Sequence, residues 1–225
     1  MKISCIVPVY NEAQRVGPVL EVLVNHPGID ELIVVNDGST DSSEAVLEKF
    51  EEIELISYSL NKGKTYALKR GLERAKNEWV MTIDSDLIGL NAEAINELLE
   101  PIVQKKADMT MTLRKNSLLV FRYFALDFVS GERVFRKDLI PNLSDLDRLP
   151  KFGFEVYLNR LLIEKKGRLN VVYWKSVITP RKSVKFGFFV GMMGDIKMFF
   201  QILAVLRWRG LIQQFLQMRQ LSKSG

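Results

Sequence analysis

The sequence predicts an α/β fold with a mostly parallel central sheet, and three observations support this prediction. Short apolar segments alternate with amphipathic stretches through the first 112 residues, as strands and helices do when helices cover both faces of a sheet. Segments such as Ile3–Val9 and Glu31–Val35 are apolar almost throughout, which is typical of strands buried on both faces. Polar residues directly follow three of the segments, and parallel sheets bind ligands at the carboxyl ends of their strands.

This alternation assigns the elements of the first half in order along the chain. Apolar runs bounded by turn residues predict strands, and the amphipathic stretches between them predict helices. The predicted strands are Ile3–Val9, Glu31–Val35, Glu54–Tyr58, Trp79–Ile83 and Asp108–Thr112. The predicted helices are Val16–Asn25, Asp41–Phe50, Lys64–Lys76 and Ala92–Lys105.

The second half of the chain is less regular, and its apolar pattern predicts fewer elements. Residues 116–128 are rich in aromatic side chains and have a helical pattern. The predicted elements are a helix over Asn116–Phe128, a turn at Ser130-Gly131-Glu132, a strand at Arg133–Phe135, a helix over Gly153–Lys165 ended by Gly167, and a strand at Asn170–Tyr173.

Composition limits the class of protein. The chain has 225 residues, of which 47% are hydrophobic and 26% charged, so a disordered or fibrous chain is excluded. One cysteine, Cys5, and one histidine, His26, exclude an internal disulfide and a zinc site of the usual Cys/His kind. The run Ile3–Tyr10 is short and lacks a small-residue cleavage site, so a cytosolic start is expected.

Charge is distributed unevenly along the chain. Residues 160–225 contain 13 Lys or Arg and two acidic residues, a net charge of +11. Because the whole chain carries +5, the remainder carries −6. This asymmetry predicts an anionic partner at the C-terminal end, either a membrane or a nucleic acid. The Met- and Phe-rich apolar pattern of the segment favours lipid, and no nucleic-acid partner is expected.

The C-terminal segment 186–225 is predicted to form amphipathic helices that lie on a membrane surface, next to a catalytic domain over residues 1–185. Trp208 lies between two arginines, which suits a headgroup region. A transmembrane helix is the alternative, but Asp195 and Lys197 would lie mid-span. Packing on the catalytic domain or on a partner subunit, including a second copy of the chain, is the other alternative.

A pair of carboxylates follows the predicted strand Trp79–Ile83. The triplet Asp84-Ser85-Asp86 places two acids close together at the carboxyl end of that strand. Hard divalent cations such as Mg²⁺ and Mn²⁺ prefer such oxygen ligands and keep positions open for phosphate oxygens. The triplet therefore indicates a divalent-metal site.

Four ordered motifs resemble those of the family 2 inverting glycosyltransferases, and the resemblance implies the GT-A nucleotide-sugar-binding fold. The motifs are Ile6-Val7-Pro8-Val9-Tyr10-Asn11-Glu12, Val35-Asn36-Asp37-Gly38-Ser39-Thr40-Asp41, Asn61-Lys62-Gly63-Lys64 with Ala67 and Gly71, and Asp84-Ser85-Asp86. A second resemblance is to dolichol-phosphate mannosyltransferases and other polyprenyl-phosphate glycosyltransferases. It is carried by Asp127-Phe128-Val129-Ser130-Gly131-Glu132-Arg133, Phe152-Gly153-Phe154-Glu155 and Arg181-Lys182-Ser183-Val184-Lys185-Phe186-Gly187.

The resemblance also implies roles for individual residues. Asp84 and Ser85 would border the sugar diphosphate, Asp86 with Asp84 would hold Mg²⁺ or Mn²⁺, and Arg114 would meet phosphate. Lys64 belongs to a segment that would either cradle phosphate or pack the fold beside the donor. The implied base and ribose pocket is lined by Pro8, Tyr10, Glu12, Val35 and Asp37. The implied clamp on donor or acceptor phosphate consists of Arg181 and Lys185.

The expected activity is inverting transfer of a sugar from a GDP- or UDP-linked donor to a polyprenyl phosphate at the cytoplasmic side of the cell membrane. A hydroxyl acceptor is the alternative, and it would need a base, for which Asp127 and Glu155 are the candidates. A non-catalytic nucleotide-sugar-binding or membrane scaffold protein is the alternative of another class. Ile88 stands where lipid-phosphate members of the family often carry a glutamine that helps to hold the metal.

Overall fold

A seven-stranded sheet lies at the centre of the fold in a computed structural model that describes residues 1–117, 119–151, 153–180, 210 and 212–222. Its spatial order is β3-β2-β1-β4-β6-β5-β7. All neighbouring strands are parallel except β6, which runs antiparallel to β4 and β5. The prediction of a mostly parallel sheet is confirmed. The strands are β1 Ile3–Val9, β2 Glu31–Asp37, β3 Glu54–Tyr58, β4 Trp79–Thr82, β5 Met109–Arg114, β6 Arg133–Arg136 and β7 Leu169–Trp174.

Helices cover both faces of this sheet, so its strands are buried on two sides. One core layer packs α1, α2 and α4 against the sheet, and the other packs α3, α6 and α7. This burial explains the near-continuous apolar runs in the strand sequences. The helices are α1 Val16–Val24, α2 Ser43–Leu47, α3 Lys64–Arg74, α4 Ala92–Val103, α5 Leu119–Tyr123, α6 Phe154–Glu164 and α7, residues 212–221.

Each helix predicted over residues 1–185 is shorter in the structure, and the two predicted over Asn116–Phe128 and Asp41–Phe50 are shorter by at least half their length, as Leu119–Tyr123 and Ser43–Leu47. The helix predicted over Asn116–Phe128 is confined to α5, because the chain turns at Ala125, which has a positive φ of 53°. The turn directs Leu126 and Phe128 into the core. The helix predicted from Asp41 begins only at Ser43, since the Asp41 carboxylate accepts a 2.9 Å hydrogen bond from the Ser43 amide.

The reversed direction of β6 determines where the candidate site forms. The carboxyl ends of β1, β2 and β4 meet at one edge of the sheet, because these strands are parallel and in register. Strand β6 begins at that same edge, where Arg133 pairs with Thr82 of β4 and Met111 of β5. The loop that precedes β6 therefore lies beside the residues that follow β4.

The C-terminal segment is described only in part. Within the described residues, no helix combines the length and the apolar character needed to cross a membrane. The prediction of membrane-surface helices over residues 186–225 falls mostly outside the described ranges, as do Arg181 and Lys185. Helix α7 packs against the domain, with Met218 fully buried in the core layer of α3 and α6.

Candidate active site

Hydrogen bonds join the loops after β1 and β2 into one surface. The Asn11 amide donates to Ser39 Oγ at 3.0 Å, and Asn11 Oδ1 accepts from the Thr40 amide at 2.8 Å. The Glu12 amide donates to Ser43 Oγ at 2.9 Å, which ties the same loop to α2. Asn11 has a positive φ of 55°, a conformation that asparagine adopts more readily than most residues. Of the five residues expected to line the nucleotide pocket, Tyr10 and Glu12 lie in the first of these loops, and Pro8, Val35 and Asp37 lie in the strands that lead into them.

The expected pocket residues differ in exposure. Tyr10 is exposed, Pro8 is half-buried, and the Glu12 carboxylate is largely buried in an ion pair of 3.2 Å with Arg15. The side chain of Val35 lies in the core layer of α3. Pro8, Tyr10 and Glu12 therefore stand at the sheet edge, whereas Val35 reaches that edge only through its main chain.

The Asp37 carboxylate organises the loop that leads into α3. Its Oδ1 accepts from the Lys62 amide, its Oδ2 accepts from the Gly63 amide, each at 2.8 Å, and Asn61 Nδ2 donates to Oδ2 at 2.9 Å. Gly63 has a positive φ of 97°, which favours glycine at this turn. Because both amides are engaged by Asp37, the geometry favours the fold-packing alternative for this segment over a phosphate cradle.

Lys64 links the carboxylate after β4 to α6. Its Nζ lies 2.6 Å from Asp84 Oδ1 and 2.9 Å from Glu155 Oε1. Burial acts to lower the pKa of Lys64, but the carboxylates of Asp84 and Glu155 more than reverse this and raise it. Lys64 is therefore a fixed positive charge within the site, and Glu155 is its ion-pair partner.

Gly131 makes room for this ion pair. A Cβ atom at position 131 would overlap Lys64 Nζ and come within 2.5 Å of Asp84 Oδ1, so one of these two charged groups would have to move. The Gly131 carbonyl accepts a 2.7 Å hydrogen bond from Thr82 Oγ1, so the loop is held against β4. The glycine of the 127–133 segment is thus explained by close approach to charged groups.

Arg114 lies among three carboxylates at the end of β5. Its Nη1 is 2.6 Å from Glu132 Oε1 and 3.8 Å from Asp84 Oδ2, and its Nη2 is 3.9 Å from Asp127 Oδ2. Burial acts to lower the pKa of Arg114, but Glu132 first, and then Asp84 and Asp127, outweigh burial and raise it. The guanidinium is therefore permanently charged and bridges the β4 edge and the loop before β6.

Glu132 was not among the residues expected from sequence, yet it is the closest partner of Arg114. It has no exposed surface, and its Oε2 accepts from Thr112 Oγ1 at 2.6 Å and from Ser130 Oγ at 2.7 Å. Burial raises the pKa of Glu132, with Arg114 acting in the opposite direction. The only sequence signal was an acid directly before a predicted strand, where the pairing with β5 turns it inward.

Asp127 is a second buried carboxyl group beside Arg114. Its Oδ2 accepts a 2.7 Å hydrogen bond from Ser117 Oγ, whereas Oδ1 has no hydrogen-bond partner within the described ranges. Burial raises the pKa of Asp127, and Arg114 opposes this increase. A buried acid with a raised pKa and one unsatisfied oxygen is typical of a functional site.

Arg133 holds the main chain of the loop between Asp127 and β6. It is fully buried and donates to the carbonyls of Phe128 at 2.7 Å and Ser130 at 2.8 Å, and to Asn159 Oδ1 at 2.6 Å. Burial lowers the pKa of Arg133 to about 10, so the side chain remains charged at neutral pH. Its donors are directed into the protein, so Arg133 supports the loop.

The donor set after β4 fits a divalent cation that also binds phosphate. Asp84 and Asp86 lie shortly after β4, beyond Ile83; both are half-buried, and Ser85 between them is buried. The described ranges contain no cluster of three or more acidic, His or Cys side chains suited to a metal. Mg²⁺ commonly takes only one or two carboxylates and completes its shell with waters and substrate phosphates, so this pair is sufficient.

Two further contacts bring the chain after β7 to the site. Ile88 and Ile178 exchange main-chain hydrogen bonds of 2.9 and 3.0 Å, so the segment after the acidic triplet is joined to the chain after β7. Asn116 Nδ2 donates to the Thr179 carbonyl at 2.6 Å. The described chain therefore approaches the loop after Arg114 shortly before position 181.

Comparisons with known proteins agree with this architecture. The glycosyl transferase family 2 profile matches residues 4–146. The chain is 30% identical over 125 residues to the dodecaprenyl-phosphate galacturonate synthase of Rhizobium johnstonii, a match covering 52% of this chain and 37% of that protein. It is 26% identical over 211 residues to the UDP-N-acetylglucosamine–dolichyl-phosphate N-acetylglucosaminyltransferase of Methanococcus voltae, covering 75% and 82%.

A solved structure shares the fold. Glucosyl-3-phosphoglycerate synthase from Mycobacterium tuberculosis, in complex with Mn²⁺, UDP-glucose and phosphoglyceric acid, superposes with a TM-score of 0.71 at 21% identity. The match covers 90% of this chain and 79% of that one. At this identity the likeness concerns the fold, and it confirms the predicted GT-A architecture.

Proposed function

Because the chain belongs to glycosyl transferase family 2, we propose that it transfers a sugar from a GDP- or UDP-linked donor to a polyprenyl phosphate, with inversion at the anomeric carbon. The observation that carries this proposal is the pair of half-buried cations, Arg114 and Lys64, beside the Asp84-Ser85-Asp86 triplet. The named activities of the relatives in Rhizobium and Methanococcus support a polyprenyl phosphate as the acceptor.

The donor would occupy the sheet edge between the joined loops and the acidic triplet. Pro8, Tyr10 and Glu12 would face the nucleoside, and Asp86 with Asp84 would hold Mg²⁺ or Mn²⁺ beside the diphosphate. The bound cation would offset the negative charge of the leaving nucleoside diphosphate. Arg114 supplies a second, fixed positive charge without reorganisation, because Glu132 already orients its guanidinium.

In the proposed reaction an acceptor phosphate oxygen attacks the anomeric carbon from the face opposite the leaving group. The new carbon–oxygen bond forms as the bond to the nucleoside diphosphate breaks, and that diphosphate leaves with the electron pair. Because the acceptor oxygen is already anionic, no strong base is required. Arg181 and Lys185 would hold one of the phosphates, a role proposed from the sequence resemblance alone.

The membrane enters the proposal as the source of the acceptor. The net charge of +11 over residues 160–225 supports peripheral association with an anionic surface, on the cytoplasmic side. We retain the division into a catalytic domain, residues 1–185, and a C-terminal segment, residues 186–225, as part of this proposal, with helix α7 of that segment packed on the domain through Met218. An interface with a second copy through the same segment is its alternative.

A donor and acceptor panel tests the proposed function. The full chain is incubated with Mn²⁺ or Mg²⁺, one GDP- or UDP-linked sugar at a time, and a short polyprenyl phosphate, and release of nucleoside diphosphate is measured. We expect release that depends on the lipid phosphate with at least one donor. Release only with a glycan or glycolipid hydroxyl would overturn the acceptor assignment, and no release with any pair would overturn the transferase proposal.

A hydroxyl acceptor is the second candidate, and the unsatisfied Oδ1 of Asp127 is the observation that favours it. Removal of a general base lowers kcat by about 10²–10⁴-fold. If the acceptor is a phosphate, neither Asp127→Asn nor Glu155→Gln should cause a loss of that size. A loss of that size for Asp127→Asn, with an unchanged melting temperature, would show base catalysis. A loss of that size for Glu155→Gln would instead assign the base to Glu155, which is paired with Lys64.

A further inference from the structure

Helix α7 packs on the loop that precedes Asp127. The Phe215 ring contacts those of Phe124 and Phe128 edge to face, with centroids 5.2 and 5.8 Å apart. Arg219 lies over the Phe124 ring at 5.0 Å. Together with buried Met218, these contacts place α7 within the domain core.

Hydrogen bonds of Gln214 also connect α7 to this loop, through Asn159. Gln214 is buried, its Nε2 donates to the Val156 carbonyl at 3.0 Å, and its Oε1 accepts from Asn159 Nδ2 at 3.4 Å. The same Asn159 Nδ2 donates to the Phe128 carbonyl at 2.8 Å, and Asn159 Oδ1 accepts from Arg133. Gln214 therefore adds a hydrogen bond from α7 to the Asn159 amide, which Arg133 and the Phe128 carbonyl also orient.

The ring contacts and the hydrogen bonds both involve Phe128, the residue next to Asp127. Its ring is held by Phe215 on one side and by Phe121 on another, at 5.5 Å between centroids. Its carbonyl accepts from both Arg133 and Asn159. The position of Phe128 in turn constrains the Asp127 turn, in which the Ser130 amide donates to the Asp127 carbonyl at 2.9 Å.

We propose that helix α7 is a positioning element of the active site, and that Gln214 and Phe215 act through Phe128 to hold the Asp127 turn beside Arg114. This inference rests on the proposed function for its catalytic consequence but not for its structural one. It gives the C-terminal segment a second role, because the same segment that is expected at the membrane also packs on the loop that carries Asp127.

Hydrogen–deuterium exchange on the full chain tests the structural part without any substrate. Gln214→Met keeps the volume of the side chain and removes both hydrogen bonds. We expect the peptide spanning residues 126–133 to exchange about tenfold faster in this variant, while peptides from β1 and β2 exchange as in the wild type. Gln213→Ala is the matched control, since Gln213 is an exposed glutamine on the same helix. Equal exchange of residues 126–133 in Gln214→Met, Gln213→Ala and wild type would overturn the proposal.

Kinetics test the positioning part. With a donor and acceptor pair that reacts in the panel, Gln214→Met and Phe215→Leu should lower kcat by about tenfold or more, because small displacements in a site are costly. The KM for the donor should stay within about twofold, since the nucleotide loops lie across the sheet edge. Phe215→Tyr should restore kcat, because it keeps the ring. A rise in donor KM with unchanged kcat would overturn positioning. If no donor and acceptor pair reacts in the panel, the proposed function is rejected. The exchange experiment would still decide whether α7 holds residues 126–133 in place.

Discussion

Replacing Arg114 with methionine is expected to lower the free energy of unfolding by about 3–5 kcal/mol, the cost of breaking a buried ion pair by removing one partner. Glu132 has no exposed surface and lies 2.6 Å from the guanidinium, with Asp84 and Asp127 just beyond. Without the cation, the buried carboxylates of Glu132 and Asp127 would face each other with only the half-buried Asp84 carboxylate beside them. Sugar transfer should also be lost, because the same cation faces the diphosphate in the proposed mechanism. Urea unfolding and the transfer assay measure the two effects.

The loss of stability in Arg114→Met should depend on pH. The pKa of Glu132 is already raised by burial, and removal of Arg114 removes the main group that lowers it. An acid with a raised pKa in the folded state loses stability as pH rises from its unfolded to its folded pKa, so the defect should be larger at about pH 8 than at about pH 5.

Arg136→Met is the matched control for this prediction. Arg136 also contacts two carboxylates, those of Glu78 and Asp138, but all three side chains are exposed. Exposed pairs contribute at most about 1 kcal/mol, so this variant should unfold nearly as the wild type does. If Arg114→Met is as stable as Arg136→Met, the proposed electrostatic role of Arg114 is wrong.

Replacing Asp86 with alanine is expected to reduce transfer by at least about 10²-fold, because a metal ion contributes several kcal/mol to stabilising charge in the transition state. The fold should persist, since Asp86 is half-buried and follows β4 rather than lying within the core. EDTA should cause a similar loss in the wild type, and added Mn²⁺ or Mg²⁺ should restore activity. The transfer assay and the melting temperature measure these outcomes.

Asp147→Ala controls for the loss of an acidic side chain. Asp147 pairs with Lys69 at 2.7 Å on the surface, away from the site, and its replacement should leave transfer unchanged. Full wild-type activity in EDTA would contradict metal dependence. Activity lost in EDTA but kept by Asp86→Ala would instead place the metal on Asp84.

Sequence predicted the sheet well because burial on both faces produces a strong local pattern. The predicted bounds of β1 and β3 agree with the structure, and the other strands differ by one or two residues at their ends. The acidic triplet was also predictable, since its place after β4 follows from strand direction alone. Arg114 was expected near phosphate from the family resemblance, and the structure places it 3.8 Å from Asp84.

The other features of the site could not be predicted, because they depend on contacts between residues that are distant in sequence. Glu132 becomes a site residue only when β6 enters the sheet in reverse and pairs with β5. Arg133 belongs to one of the sequence motifs. Its side chain faces inward, where it donates hydrogen bonds to the carbonyls of Phe128 and Ser130. Aromatic residues 116–128 have a helical pattern, but packing against Phe215 and the core favours a turn. A local sequence pattern does not show such packing, because the residues in contact are far apart in the chain.

The central position of β6 also has a consequence for the growing chain. Strand β6 lies between β4 and β5, so these two strands cannot be joined until residue 136 has been synthesised. Until then β4 presents an open edge whose unpaired amides and carbonyls can accept a strand from another molecule. Nascent chains that end between β5 and β6 should therefore be more prone to aggregate than chains that have passed β6, in which β4 is paired on both sides and only β5 still lacks its neighbour β7.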